Sequence, residues 1–106
     1  MTDLNNIKFN YLYRDASNYK NFGSIIFHNP NNLSIDDVEN IIRSQLIDGE
    51  YFYARKLNIP ELFFEIPNSD DHEFHEFENV EMTNENLYQM ALEKFFSLIK
   101  VSIISL

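Results

Sequence analysis

The stretch Leu33–Tyr53, LSIDDVENIIRSQLIDGEYFY, decides how this chain is read, because it carries both a marked helix start and a marked stop. Ser34 is a good N-cap, and Asp37 three residues on is a short variant of the capping-box acid. Leu33 and Val38 have the spacing of a hydrophobic staple, and Asp36, Asp37 and Glu39 put negative charge at the positive end of the helix dipole. Val38, Ile41, Ile42 and Leu46 recur at helical spacing and form one apolar stripe. Asp48-Gly49 then ends the helix, since glycine tolerates left-handed backbone.

Upstream, residues 7–14 (IKFNYLYR) alternate, with Ile7, Phe9, Tyr11 and Tyr13 on one face, as a half-buried strand does. Asp15 to Asn21 is turn-forming, and Phe22 to His28 reads as a second strand in a hairpin with the first, Gly23 marking a bulge. Asn29-Pro30-Asn31-Asn32 breaks that strand ahead of the helix cap. Downstream, Tyr51-Phe52-Tyr53 and Leu62 to Ile66 are strand candidates on either side of Pro60. EFHEFENVEM (73–82) has mixed spacing, Phe74, Phe77 and Val80 by three and Val80 and Met82 by two; a bulged strand is expected because Asn79 interrupts and the Phe and Val content favours β. From Thr83 or Asn84 the pattern turns helical, with Leu87, Tyr88, Ala91, Leu92, Phe95, Phe96 and Ile99 on a broad apolar face. The expected architecture is a single α+β domain over residues 1–106, of ββαββα-like order. A small antiparallel sheet of about four strands is packed by two helices, and residues 84–106 form a C-terminal apolar helix.

The chain has 106 residues, ten of them Phe, and no Cys, which removes disulfides, thiolate chemistry and cysteine zinc sites. It lacks an apolar run of membrane-spanning length, and MTDLNNIK has neither the basic start nor the apolar middle of a signal peptide. A bacterial-type cytoplasmic protein without a membrane partner is therefore expected. Net charge is −9, unevenly placed. From Leu57 to Glu93 there are ten carboxylates and no Lys or Arg, whereas the remainder carries seven carboxylates against eight basic residues. Direct binding of duplex nucleic acid through phosphate neutralisation is excluded by that distribution, since its affinity comes from Lys and Arg.

Three blocks, YLYRDASNYKNFGSIIFHNPNNLS, IDGEYFY and DHEFHEFENVEMT, together resemble a family of small, functionally uncharacterised bacterial proteins of about this length. The resemblance spans residues 9–83. It implies a shared fold and brings no activity, cofactor or partner.

Candidate chemistry concentrates in one segment. Asp70, Asp71, Glu73, Glu76, Glu78 and Glu81 form a dense carboxylate surface suited to a basic protein partner, as in inhibitors, immunity proteins and nucleic-acid mimics. On a helix, His72, His75 and Glu76 would share a face and suit a divalent metal, the alternative reading as a metal-binding domain or metal-dependent enzyme; on a strand, His72, Glu76 and Glu78 would share a face with His75 opposite. Their HExH spacing is not the HExxH of zinc proteases. No GxSxG elbow and no glycine-rich phosphate loop is present, so the reading leans away from an enzyme and assigns no catalytic residue and no cofactor. Arg14 with Asp15 and Asn18 is either an anion-binding loop or a turn whose arginine pairs with an acidic neighbour, the second being the simpler expectation. A third reading is a homodimer paired through Leu98, Ile99, Ile103 and Leu106 of the terminal helix.

Overall fold

A computed structural model describes residues 6–63, 74–85, 88 and 90–104, with side chains described as far as Lys100. The chain runs β1 (Asn6–Arg14), β2 (Lys20–His28), α1 (Ile35–Gln45), β3 (Tyr51–Phe52), a short 3-10 helix (Ala54–Leu57), β4 (His75–Thr83), β5 (Met90–Ala91) and α2 (Leu92–Ile104). It is an α+β fold with two helices, as its sequence pattern predicts, with one more strand than expected. The sheet order is β3-β4-β1-β2-β5. β5 runs parallel to β2, pairing Met90 with Phe27 and Ala91 with His28, so the sheet is mixed and not purely antiparallel. Such a two-residue strand is specified by where the chain passes β2, not by its own composition.

The hairpin forms in the expected place for a local reason. Asp15 Oδ1 accepts from the backbone N–H groups of Ser17 and Tyr19, and Asn18 takes a left-handed φ of 70°. These are the properties that fit Asp and Asn to turns. In α1 the Ser34 hydroxyl accepts from Asp37 N–H at 3.1 Å, and Val38 and Ile42 are buried. β4 carries the expected bulge. Asn10 pairs with Asn79 but Tyr11 pairs with Phe77, so Glu78 is the extra residue. The skipped position lets Phe77 and Val80, three apart, reach the same buried face.

Three local expectations are corrected. Gly23 is not at a bulge; it pairs in regular register with Tyr11, and a Cβ there would come 2.9 Å from a Leu62 methyl carbon. Thr83 does not cap a helix: it ends β4, and its hydroxyl accepts from Glu85 N–H. The C-terminal helix starts at Leu92, nine residues past Thr83.

The core is aromatic and centred on Phe9, which is fully buried. Its ring lies 5.1–5.9 Å from those of Tyr11, Phe27, Phe52, Phe77 and Phe95, within the range of favourable aromatic pairs. Phe95 and Ile99 of α2 and Val38 and Ile42 of α1 close this face of the sheet. Tyr11, 1% exposed, donates its hydroxyl to the Pro60 carbonyl at 2.6 Å. Burial pushes its phenol up to about 12 from an ordinary 10.0. Because the folded state favours the neutral phenol, its contribution is intact below pH 10 and is lost as the pH rises through about 12. Near-ultraviolet titration of the six tyrosines should include Tyr11 ionising late and together with loss of tertiary circular dichroism; complete ionisation near pH 10 with the protein still folded would contradict the placement.

Candidate functional site

The turn after α1 builds one wall of a cleft. Asp48 and Gly49 both take left-handed φ values, 53° and 71°, and Glu50 N–H donates to the Ile47 carbonyl at 3.0 Å. Two consecutive left-handed residues with Asp-Gly identity make a type I′ arrangement. The dipeptide therefore does more than stop the helix, which already ends at Gln45. It reverses the chain so that Ile47 bridges Tyr51, and it leaves Asp48 and Glu50 exposed on either side of the glycine. Arg43 fixes the turn by donating from Nη1 to the Gly49 carbonyl at 2.9 Å.

From there β3 joins the edge of β4, with Tyr51 opposite Glu76 and Phe52 opposite His75. Alternation along β4 sends His75 to the core and Glu76 to the open face. Between the turn and this open face lies a cleft of about 540 Å³, lined by Arg14, Ile47, Asp48, Glu50, Tyr51, Phe74 and Glu76. Its volume lies in the range of sites that hold a side chain or small ligand.

The electrostatics of the cleft are lopsided. Arg14 binds Glu76 through two nitrogens, Nε at 2.9 Å and Nη2 at 3.3 Å, and Nη1 donates to Asn18 at 2.6 Å. Glu76 is only 13% exposed, so this forked pair is partly withdrawn from water. The Glu76 hydrogen bond and charge hold the guanidinium above its ordinary pKa. With Arg14 and Glu76 neutralising each other, Asp48 and Glu50 remain, and among the described residues neither has an ion-pair partner. Their field is felt at Tyr51, whose phenol is raised first by the Glu50 carboxylate, then by burial, Glu76 and Asp48, with Arg14 opposing. The cleft is thus an aromatic-walled, net anionic recess.

The residues expected from the sequence are distributed unevenly around it. Asp70, Asp71, His72 and Glu73 lie outside the described residues. Glu76 lines the cleft, tied to Arg14, which answers the question left by the Arg14-Asp15-Asn18 group: the arginine pairs with an acidic neighbour across the sheet. Glu78 stands exposed at the bulge, and Glu81 is exposed on β4 at 3.9 Å from Lys8.

His75 is fully buried, 5.2 Å in ring centroid distance from both Tyr13 and Phe63. Its Nε2 accepts from Leu62 N–H at 2.9 Å, which assigns the ring proton to Nδ1. The face shared by His72, His75 and Glu76 required a helix; on the observed strand His75 and Glu76 point to opposite sides. Among the described residues no group of three His, Asp or Glu is arranged to hold a metal. The proposed dimer seam is corrected in part as well, because Ile99 is 1% exposed and spent on the chain's own core. Leu106 and the side chain of Ile103 lie outside the described residues.

Asp48 and Glu50 are absent from the sequence-derived site. The signal was present in IDGEYFY, where two acids flank a glycine next to three aromatics, but the same letters serve as a helix stop. Among the described residues no helix is long and apolar enough to cross a membrane. The chain matches no family model, no curated protein and no solved structure, so function is argued from these residues alone.

Proposed function

We propose that the protein is a small acidic interaction module that binds a basic protein surface, of the inhibitor, immunity or nucleic-acid-mimic type, acting in a bacterial cytoplasm. The observation that carries this reading is the cleft beside β3, where three carboxylates face one guanidinium and two carboxylates are left without a cation. Exposed Glu78 and Glu81 on β4 add carboxylates beside the open face, Glu81 meeting Lys8 at 3.9 Å, and the interval Leu57–Glu93 contains no Lys or Arg. Fixed carboxylates of this kind steer a cationic partner and set specificity against neutral ones. Because backbone hydrogen bonds and Arg43 hold the turn, and side-chain hydrogen bonds hold the Arg14–Glu76 pair, the charges need little rearrangement on binding, which lowers the cost of association.

The test is capture from an extract of the native host on the immobilised chain, eluted by a rising salt gradient and read by mass spectrometry. A partner of high isoelectric point released as salt screens the charges is the expected result. Recovery only of neutral or acidic partners, or of partners held unchanged in high salt, would remove the proposal.

A further inference from the structure

The cleft opens onto a row of side chains that crosses the sheet. Register pairs Tyr51 with Glu76, Glu76 with Leu12, and Leu12 with Phe22. Paired residues share a face, and this row lies opposite the face on which Phe9 and Phe27 meet Phe95. At its far end Phe22 is 57% exposed, while Leu12 beside it is buried by the chain itself. A large apolar ring left in water as the third residue of β2, at one end of a row whose other end is an anionic recess, is a surface with two chemically distinct ends.

Resting on the proposed basic partner, we infer that the partner docks across this row, seating an arginine in the cleft and an apolar side chain against Phe22. The charge argument is specific. Arg14 is held by both Glu76 and Asn18 and acts on Glu50 only through its field, so among the described residues Asp48 and Glu50 have no ion-pair partner, and a cation from outside completes the site. Arginine fits better than lysine because its planar, weakly hydrated guanidinium forks onto carboxylates and stacks on aromatic rings such as Tyr51 and Phe74. The separation is specific too. Three inter-strand steps of about 4.8 Å place Phe22 about 14 Å from Tyr51, close to the span between same-side residues i and i+4 of an extended segment.

The test uses the full chain, isotopically labelled, and a blocked pentapeptide with arginine first, leucine fifth and glycines between, followed by NMR. Saturable shifts at the amides of Leu12, Phe22, Tyr51 and Glu76 are expected, with a dissociation constant of about 1 mM. Replacing arginine by its neutral isostere citrulline should abolish them, and replacing leucine by glycine, or Phe22→Ser in the protein, should weaken binding about tenfold. Phe22→Ser alters an exposed side chain and leaves the fold intact, which the unperturbed remainder of the spectrum verifies. If arginine is required but the leucine and Phe22 changes have no effect, the row is overturned while the basic-partner reading stands. If the citrulline peptide binds as well as the arginine peptide, the arginine seat is overturned and the basic-partner reading loses its support with it. If the shifts fall elsewhere on the protein, the row is overturned; salt-eluted capture then decides the broader reading independently.

Discussion

Phe9→Ala is expected to destabilise the fold by about 3–5 kcal/mol, the range for removing a buried phenylalanine from a core that relaxes only in part. Phe9 is fully buried at the centre of the sheet and touches five aromatic rings drawn from β1, β2, β3, β4 and α2. Its loss therefore opens a void that no single element can close. Against a total stability of about 5–15 kcal/mol for a domain, the variant should melt about 15–30 °C below the parent. Phe22→Ala is the comparison, since the same side chain removed from an exposed position should change stability by no more than about 0.5 kcal/mol. Chemical denaturation of both variants checks the pair, and similar losses for the two would contradict the assignment of sheet faces.

Reversing the charge of the cleft should have the largest effect on function. Asp48→Asn with Glu50→Lys turns two uncompensated carboxylates into a net positive recess beside Arg14, and affinity for the basic partner should fall about a hundredfold. Asparagine is chosen at residue 48 because the backbone there is left-handed, with φ of 53°, a conformation that Asn tolerates and Lys does not. Asp36→Asn with Asp37→Lys makes the same change in net charge on exposed residues at the start of α1, and should leave affinity within a few-fold. Equal losses from both pairs would mean that the partner responds to total charge and not to the cleft.

How far these features could be read from the sequence depended on whether the determining interactions were local. Ser34 capping Asp37 and the Asp15 turn are contacts within a few residues, so residue type and spacing reveal them. The bulge in β4 was legible because Asn79 interrupts a segment whose Phe and Val content favours β. β5 was not, since a two-residue parallel strand of Met90 and Ala91 exists only because the chain passes beside Phe27 and His28. The late start of α2 goes with it: β4 ends at Thr83, and Met90 and Ala91 pair at the far edge of the sheet immediately before α2 begins at Leu92.

The site shows the same division. The acidity of the region was visible in composition, and Glu76, Glu78 and Glu81 fall on or beside the open face as carboxylates of a solvated strand should. His75 and Glu76 are neighbours in sequence but occupy opposite faces, because the segment is a strand and not a helix; the histidine then satisfies Leu62 N–H inside the core. Asp48 and Glu50 entered the cleft through a tight turn whose signature coincides with that of a helix terminus. Only the pairing of Tyr51 with Glu76 reveals that this turn faces Arg14.

The most direct measurement of the central claim is the affinity for the captured basic partner across a range of salt concentrations, for the parent chain and for Asp48→Asn/Glu50→Lys. The parent should bind steeply more weakly as salt rises, and the variant should bind weakly with a much flatter dependence, because the charges that generate the attraction have been removed. A parent whose affinity ignores salt, or a variant that keeps both the affinity and the slope of the parent, would contradict it.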